Sequence, residues 1–164
     1  MVEQQIGQAE QAVRESPNNV PARLRLGILY HEEGRSAEGL TQLDEVLKVD
    51  PGNADAHMAK GRIMLDMGDL LGSTAAFKTV VESFGDGEFA HQDMRLQASL
   101  YWLGSIALQQ DQPAQARDWL ARALRIEPTD SDSLYLYGKA LAKEGDHAAA
   151  IDSFRKSLQF VPTG

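Results

Sequence analysis

The chain has 164 residues, a net charge of −8 and no cysteine. The acidic balance argues against nucleic acid and against an anionic membrane surface, both of which need clustered basic residues. Without cysteine there is no disulfide framework or thiolate site, and no apolar run approaches the roughly 20 residues of a membrane span. With 43% hydrophobic and 24% charged residues, the composition is that of a protein with a real core. Residues 1–8 hold no basic region followed by an apolar stretch, so no signal peptide is visible. The default expectation is a cytoplasmic address; if the chain is cut from a longer protein, the parent sets it.

Residues 2–15 read as a helix, with Ile6, Ala9, Ala12 and Val13 on one face. From there the chain keeps a beat. Pro17 and Pro51 lie 34 residues apart, as do Pro128 and Pro162, and the middle interval of 77 is two such periods plus nine. Gly27 to Gly61 and Gly104 to Gly138 keep the same 34, and Gly61 to Gly104 carries the same extra nine. A fixed period of this length means a stacked repeat. The repeats are 20–53, 54–87, 97–130 and 131–164, with 88–96 inserted.

Each repeat divides into two helices. In the first, Leu26, Leu29 and Tyr30 recur at helical spacing, and in the third Leu103, Ile106 and Ala107 do so. Asn19, Asn53 and Asp130 stand where they can cap the first helix of a repeat. Gly34, Gly68 and Gly145 fall where that helix must stop in left-handed geometry, and Asp111 holds the matching place in the third repeat. Pro113 opens a second helix, and the periodic prolines block continuation of the helix before them. Glycine in mid-helix costs about 1 kcal/mol against alanine, so its recurrence at 27, 61, 104 and 138 predicts close backbone approach inside each pair. The inserted 88–96 is helix-compatible and is expected to extend the first helix of the third repeat by about two turns, after a turn at Gly85-Asp86-Gly87.

Chemistry is sparse. Gly85 to Ala90 matches G-x-G-x-x-A in form, but the phosphate reading needs a preceding strand, and two acids here would repel phosphate. Asp86, Glu88, His91 and Asp93 lack the spacing of a calcium loop or a helical Glu-x-x-His pair and read as a solvated acidic turn. The four histidines are scattered; His31 and His57 could each edge a groove. There is no nucleophile elbow or HExxH, and Glu32/Glu33 and Asp44/Glu45, adjacent in sequence, do not face each other on a helix. No catalytic residue, metal or cofactor is expected, and an enzyme is disfavoured.

The Leu26-Gly27-x-x-Tyr30 and Ala150-x-x-x-Phe154 pairs, the small Ala123 and the closing prolines resemble the tetratricopeptide repeat family over 20–164. Departures are Gly85 for a closing proline, Asp111 for glycine, and Gly39 and Ser73 for alanine. The resemblance implies an all-α, right-handed superhelical solenoid of antiparallel helix pairs, about nine helices in a single domain 1–164, with 1–19 holding the leading helix. It also implies that the first helices line a concave groove for a peptide. The implied inward positions are Leu24, Arg25, Ile28 and His31, then Asp55, Met58, Ala59 and Arg62. They continue with Tyr101, Trp102, Ser105 and Leu108, and end with Tyr135, Leu136, Lys139 and Lys143. The family's carboxylate clamp for acidic C-termini is absent: its places hold Leu24, Ile28, Ala59, Ala98 and Trp102, or, one repeat later, Met58, Arg62, Trp102, Asp132 and Leu136.

The expected function is therefore an adaptor binding a protein or peptide partner through an apolar, aromatic groove. Trp102 and Tyr135 serve as anchors, and Arg62 and Lys139 reach backbone carbonyls or an acidic flank. Aromatics at helical spacing are more often core, and burial of Trp102 under the insertion stands against that reading; Trp119 falls at an outward position. The alternative is a structural module that self-associates into a homo-oligomer through its N-terminal helix or through Phe154 and Leu158 at its last helix, both expected to be exposed.

Overall fold

The computed structural model describes residues 1–85 and 92–163. Among these there are nine α-helices and no strand: α1 Val2–Glu15, α2 Val20–Glu32, α3 Ser36–Val49, α4 Ala54–Asp66, α5 Leu70–Phe84, α6 Met94–Gln109, α7 Pro113–Ile126, α8 Ser131–Lys143 and α9 His147–Gln159. They fall into two compact units, Met1–Thr79 and Val80–Gly164.

The helix ends follow from local chemistry. The side chains of Asn19, Asn53 and Asp130 accept from the backbone N–H groups of Ala22, Ala56 and Ser133 at 3.2, 2.9 and 3.3 Å, which satisfies donors the first turn leaves free. Pro113 is the first residue of α7, where its missing N–H costs nothing. Asp111 carries φ +56°, among the described residues the one non-glycine in the left-handed region. It stands where the repeat frame places glycine, and aspartate tolerates this geometry better than most side chains.

In the first unit, α1 lays Ile6 and Ala9 against Leu26, Leu29 and Tyr30 of α2, with Val2 and Val13 at the edge. Burial raises the Tyr30 phenol pKa, reinforced by the carboxylate of Glu10. Helices α2 and α3 meet glycine on glycine: a Cβ on Gly39 would lie 2.6 Å from the carbonyl oxygen of Gly27. In the α4–α5 pair, Gly61 faces the fully buried ring of Phe77.

In the second unit, Ala107, Ala116, Leu120 and Ala140 form a core with Tyr101, Leu108, Trp119, Leu136 and Tyr137 packed around it. Gly104 admits Leu120, and Gly138 admits the ring of Phe154. Helix α9 is drawn to α8 by two hydroxyls: Ser153 donates to the Leu134 carbonyl at 2.6 Å and Ser157 to that of Ser131 at 2.8 Å.

Four expectations need correction. Of the four mid-helix glycines, Gly27 meets the backbone of the paired helix, at Gly39, whereas Gly61, Gly104 and Gly138 meet the side chains of Phe77, Leu120 and Phe154. Helix α6 begins at Met94, not two turns earlier. Asp93 is extended (φ −88°, ψ 120°) and caps the helix by accepting from Arg95 N–H at 2.8 Å. The carboxylate outcompetes helix propensity at Asp93 itself, and the expected helix over 88–91 lies outside the described residues. Trp119, expected at an outward position, is half-buried against the second unit's core. Phe154 is half-buried too, because Gly138 leaves room for its ring.

Candidate functional site

Each unit carries a cleft between consecutive first helices. The first, of about 700 Å³, is lined from α2 by Leu24, Arg25, Ile28, Leu29, His31 and Glu32, and from α4 by Asp55, Met58, Ala59, Arg62 and Ile63. All eight inward positions named for these two repeats are on it. Helices one period apart present the same face, so positions 34 residues apart, Leu24 and Met58 or Ile28 and Arg62, line the same cleft. Ile28 is 43% exposed, a β-branched apolar side chain open to water on the cleft wall.

The rim is polar and stitched. His31 Nδ1 lies 2.8 Å from Ser36 Oγ and its Nε2 lies 2.7 Å from Asp66 Oδ2, so one ring ties α2 to the start of α3 and the end of α4. His57, by contrast, turns to the Pro51 carbonyl at 2.9 Å and does not line the cleft. Arg25 is exposed and makes no ion pair among the described residues.

The second cleft, of about 320 Å³, is lined by Ser105, Leu108 and Gln109 of α6 and Leu136, Lys139 and Lys143 of α8. The three aromatics expected to line the groove are placed differently. Tyr101 and Trp102 are half-buried and meet edge to face, ring centroids 5.0 Å apart, and Tyr101 also packs on the core. Tyr135 is 51% exposed, with its ring centroid 5.8 Å from that of Phe154 and 5.5 Å from the Lys139 ammonium. Sequence reasoning missed Leu29, Glu32, Ile63 and Gln109 as lining residues. Leu29 and Ile63 are core positions whose edges reach the cleft floor, which period alone does not reveal.

Among the described residues no group of three His, Asp or Glu side chains could hold a metal ion. Asp86, Glu88 and His91 lie outside those residues, and Asp93 is engaged by Arg95, whose hydrogen bond holds its carboxyl below the usual range. What precedes Gly85 is helix α5, not a strand. No described helix is long and apolar enough to cross a membrane.

The helix pairs of period 34 have counterparts among known proteins. Tetratricopeptide repeat patterns match residues 7–63, 97–130 and 119–152. The chain belongs to the tetratricopeptide repeat family. It is 26% identical over 168 residues to cellulose synthase operon protein C of Escherichia coli K12, covering 96% of this chain and 14% of that protein. The fold matches the crystal structure of MamA with a TM-score of 0.80 at 19% identity, over 94% of this chain and 85% of that one. It also matches YrrB, described as a TPR protein with an unusual peptide-binding site, with a TM-score of 0.78 at 19% identity, over 94% of this chain and 75% of that one. The fold class is thus an all-α helical repeat solenoid, and the family supports a role in protein interaction.

Proposed function

We propose that this tetratricopeptide repeat chain is a non-catalytic adaptor that grips a peptide segment by apolar anchors, with residues 1–164 acting as one domain. The observation that carries the reading is the first unit's cleft. At about 700 Å³ it lies within the size range of ligand pockets, and Leu24, Ile28 and Met58 meet there from two helices with arginines beside them. A single exposed apolar side chain is ordinary, but Ile28 shares one cleft with Leu24 and Met58, and a contiguous apolar patch of this kind marks a binding surface. Tyr101, Trp102 and Tyr135 supply aromatic area in the second unit, with Ser105 and Lys139 nearby. YrrB's description puts a peptide site on this same fold, which favours a peptide as the occupant.

The test is selection from a random peptide display library, followed by fluorescence anisotropy of the winners. The expected winners carry apolar or aromatic anchors, and Ile28→Asp weakens them at least tenfold with unchanged far-UV circular dichroism. Winners that bind Ile28→Asp as well as the parent would sink the reading.

Self-association is the second reading, favoured by Leu158 and Ile151 on α9 and Val161 beyond it, exposed to 77%, 50% and 48%. Light scattering across a concentration series decides it: a strict monomer at high concentration removes it.

A further inference from the structure

We propose that the second unit's cleft recognises acidic side chains of a peptide segment, their carboxylates held between Lys139 and Lys143. The inference rests on the reading of the chain as a peptide-binding module and assigns the partner chemistry of one of its clefts.

The chain carries 24 acids against 16 lysines and arginines, yet both charged residues lining this cleft are cationic. The first unit's cleft differs: it mixes Arg25 and Arg62 with Glu32 and Asp55. Lys139 and Lys143 stand four residues apart on α8, so they share a helix face and repel each other. An anion between them relieves that repulsion. Attraction to the helix C-terminus accounts for Lys143 in the last turn, but not for Lys139 a turn earlier.

The cleft's polar groups are available. Lys139 makes no ion pair among the described residues and rests its ammonium over Tyr135. Lys143 reaches Asp111 only at 3.4 Å, with the Asp111 side chain 85% exposed, a contact that water screens strongly. Ser105 and Gln109 make no side-chain hydrogen bond among the described residues, and both can donate to a carboxylate. Half-buried Leu108 and Leu136 line the same cleft and can cover the methylenes of a glutamate. The volume of about 320 Å³ suits one or two side chains rather than a whole ligand.

The probe is a fluorescein-labelled hexapeptide of sequence LEELEE, with LQQLQQ as its uncharged counterpart, read by anisotropy on the whole chain. The expected result is binding of the acidic peptide that weakens with added salt and falls roughly tenfold or more in the Lys139→Gln/Lys143→Gln double variant. Asp111→Asn, which removes the competing carboxylate, should tighten it about two-fold. Both lysines are exposed, and circular dichroism confirms that the double variant folds. Equal affinity for the two peptides, indifference to the double substitution, or no binding of LEELEE overturns the proposal. Full displacement by excess inorganic phosphate also overturns it, making the cleft a general anion site. Binding of the display-selected apolar peptides, lost in Ile28→Asp, separates this failure from failure of the adaptor reading.

Discussion

The two units use the same repeat, but they close their helix pairs and furnish their clefts differently. In the first, α2 and α3 touch backbone to backbone through Gly27 and Gly39, a contact the second unit lacks among its described pairs; there Gly104 and Gly138 make room for Leu120 and Phe154, as Gly61 does for Phe77 in the α4–α5 pair. A side chain can rotate away from an intruding methyl, whereas a carbonyl in a hydrogen-bonded helix cannot. The clefts diverge as well: the first is wide, apolar and of mixed charge, the second small and cationic. One architecture thus carries two surface chemistries, because charged inward positions such as Arg25 and Lys139 are exposed and escape the packing demands that hold the core.

The sharpest way to break the comparison is Gly39→Ala against Gly104→Ala. Alanine at 39 meets the Gly27 carbonyl oxygen at 2.6 Å and should destabilise by about 2–3 kcal/mol, the upper range for overpacking. Alanine favours helix by about 1 kcal/mol at either site; at 104 its Cβ lies 2.5 Å from Leu120 Cγ, a side chain that can shift where the Gly27 carbonyl cannot. Its net cost should stay near 1 kcal/mol. Urea midpoints measure both; a larger loss at 104 would reverse the assignment of the rigid contact.

Next in size is Trp102→Ala. If the second unit's aromatics contribute an anchor, affinity for a selected peptide falls about tenfold, or roughly 1.4 kcal/mol, with helical content unchanged. An unchanged affinity would confine apolar binding to the first cleft. Calorimetry asks whether the units are energetically one: a single domain 1–164 gives one transition with equal calorimetric and van't Hoff enthalpies, while two transitions would count against it.

The smallest effect is expected at Asp93. Hydrogen bonding from Arg95 lowers its pKa in the folded state, so its stabilisation is present above the unfolded value near 3.9 and is lost as pH falls through the lower folded value. Asp93→Asn keeps the capping oxygen and loses the charge. It should cost under about 1 kcal/mol at pH 7, since the pair is partly exposed, and the difference from wild type should vanish in acid. A difference that persists at low pH would mean that shape, not charge, matters there.

Much of this was legible beforehand because it is local or periodic. Asn19, Asn53 and Asp130 cap because a short polar side chain reaches its own helix start. Gly34, Gly68 and Gly145 stop helices at φ +80°, +84° and +88° because only glycine does so without strain. The period of 34 carried the alignment further, to the placement of Leu24, Ile28, Met58 and Arg62 around one cleft, since equivalent positions on stacked repeats must share a face. Tertiary structure alone decided the rest. Whether Tyr101, Trp102 or Trp119 is core or surface depends on which neighbour fills the space beside it, and helical spacing is identical in both cases. That Phe154 sinks toward Gly138 while Leu158 stays in water is set by the gap across the hairpin. The start of α6 at Met94 turned on one carboxylate reaching a backbone N–H, a competition between cap and helix that propensity does not resolve.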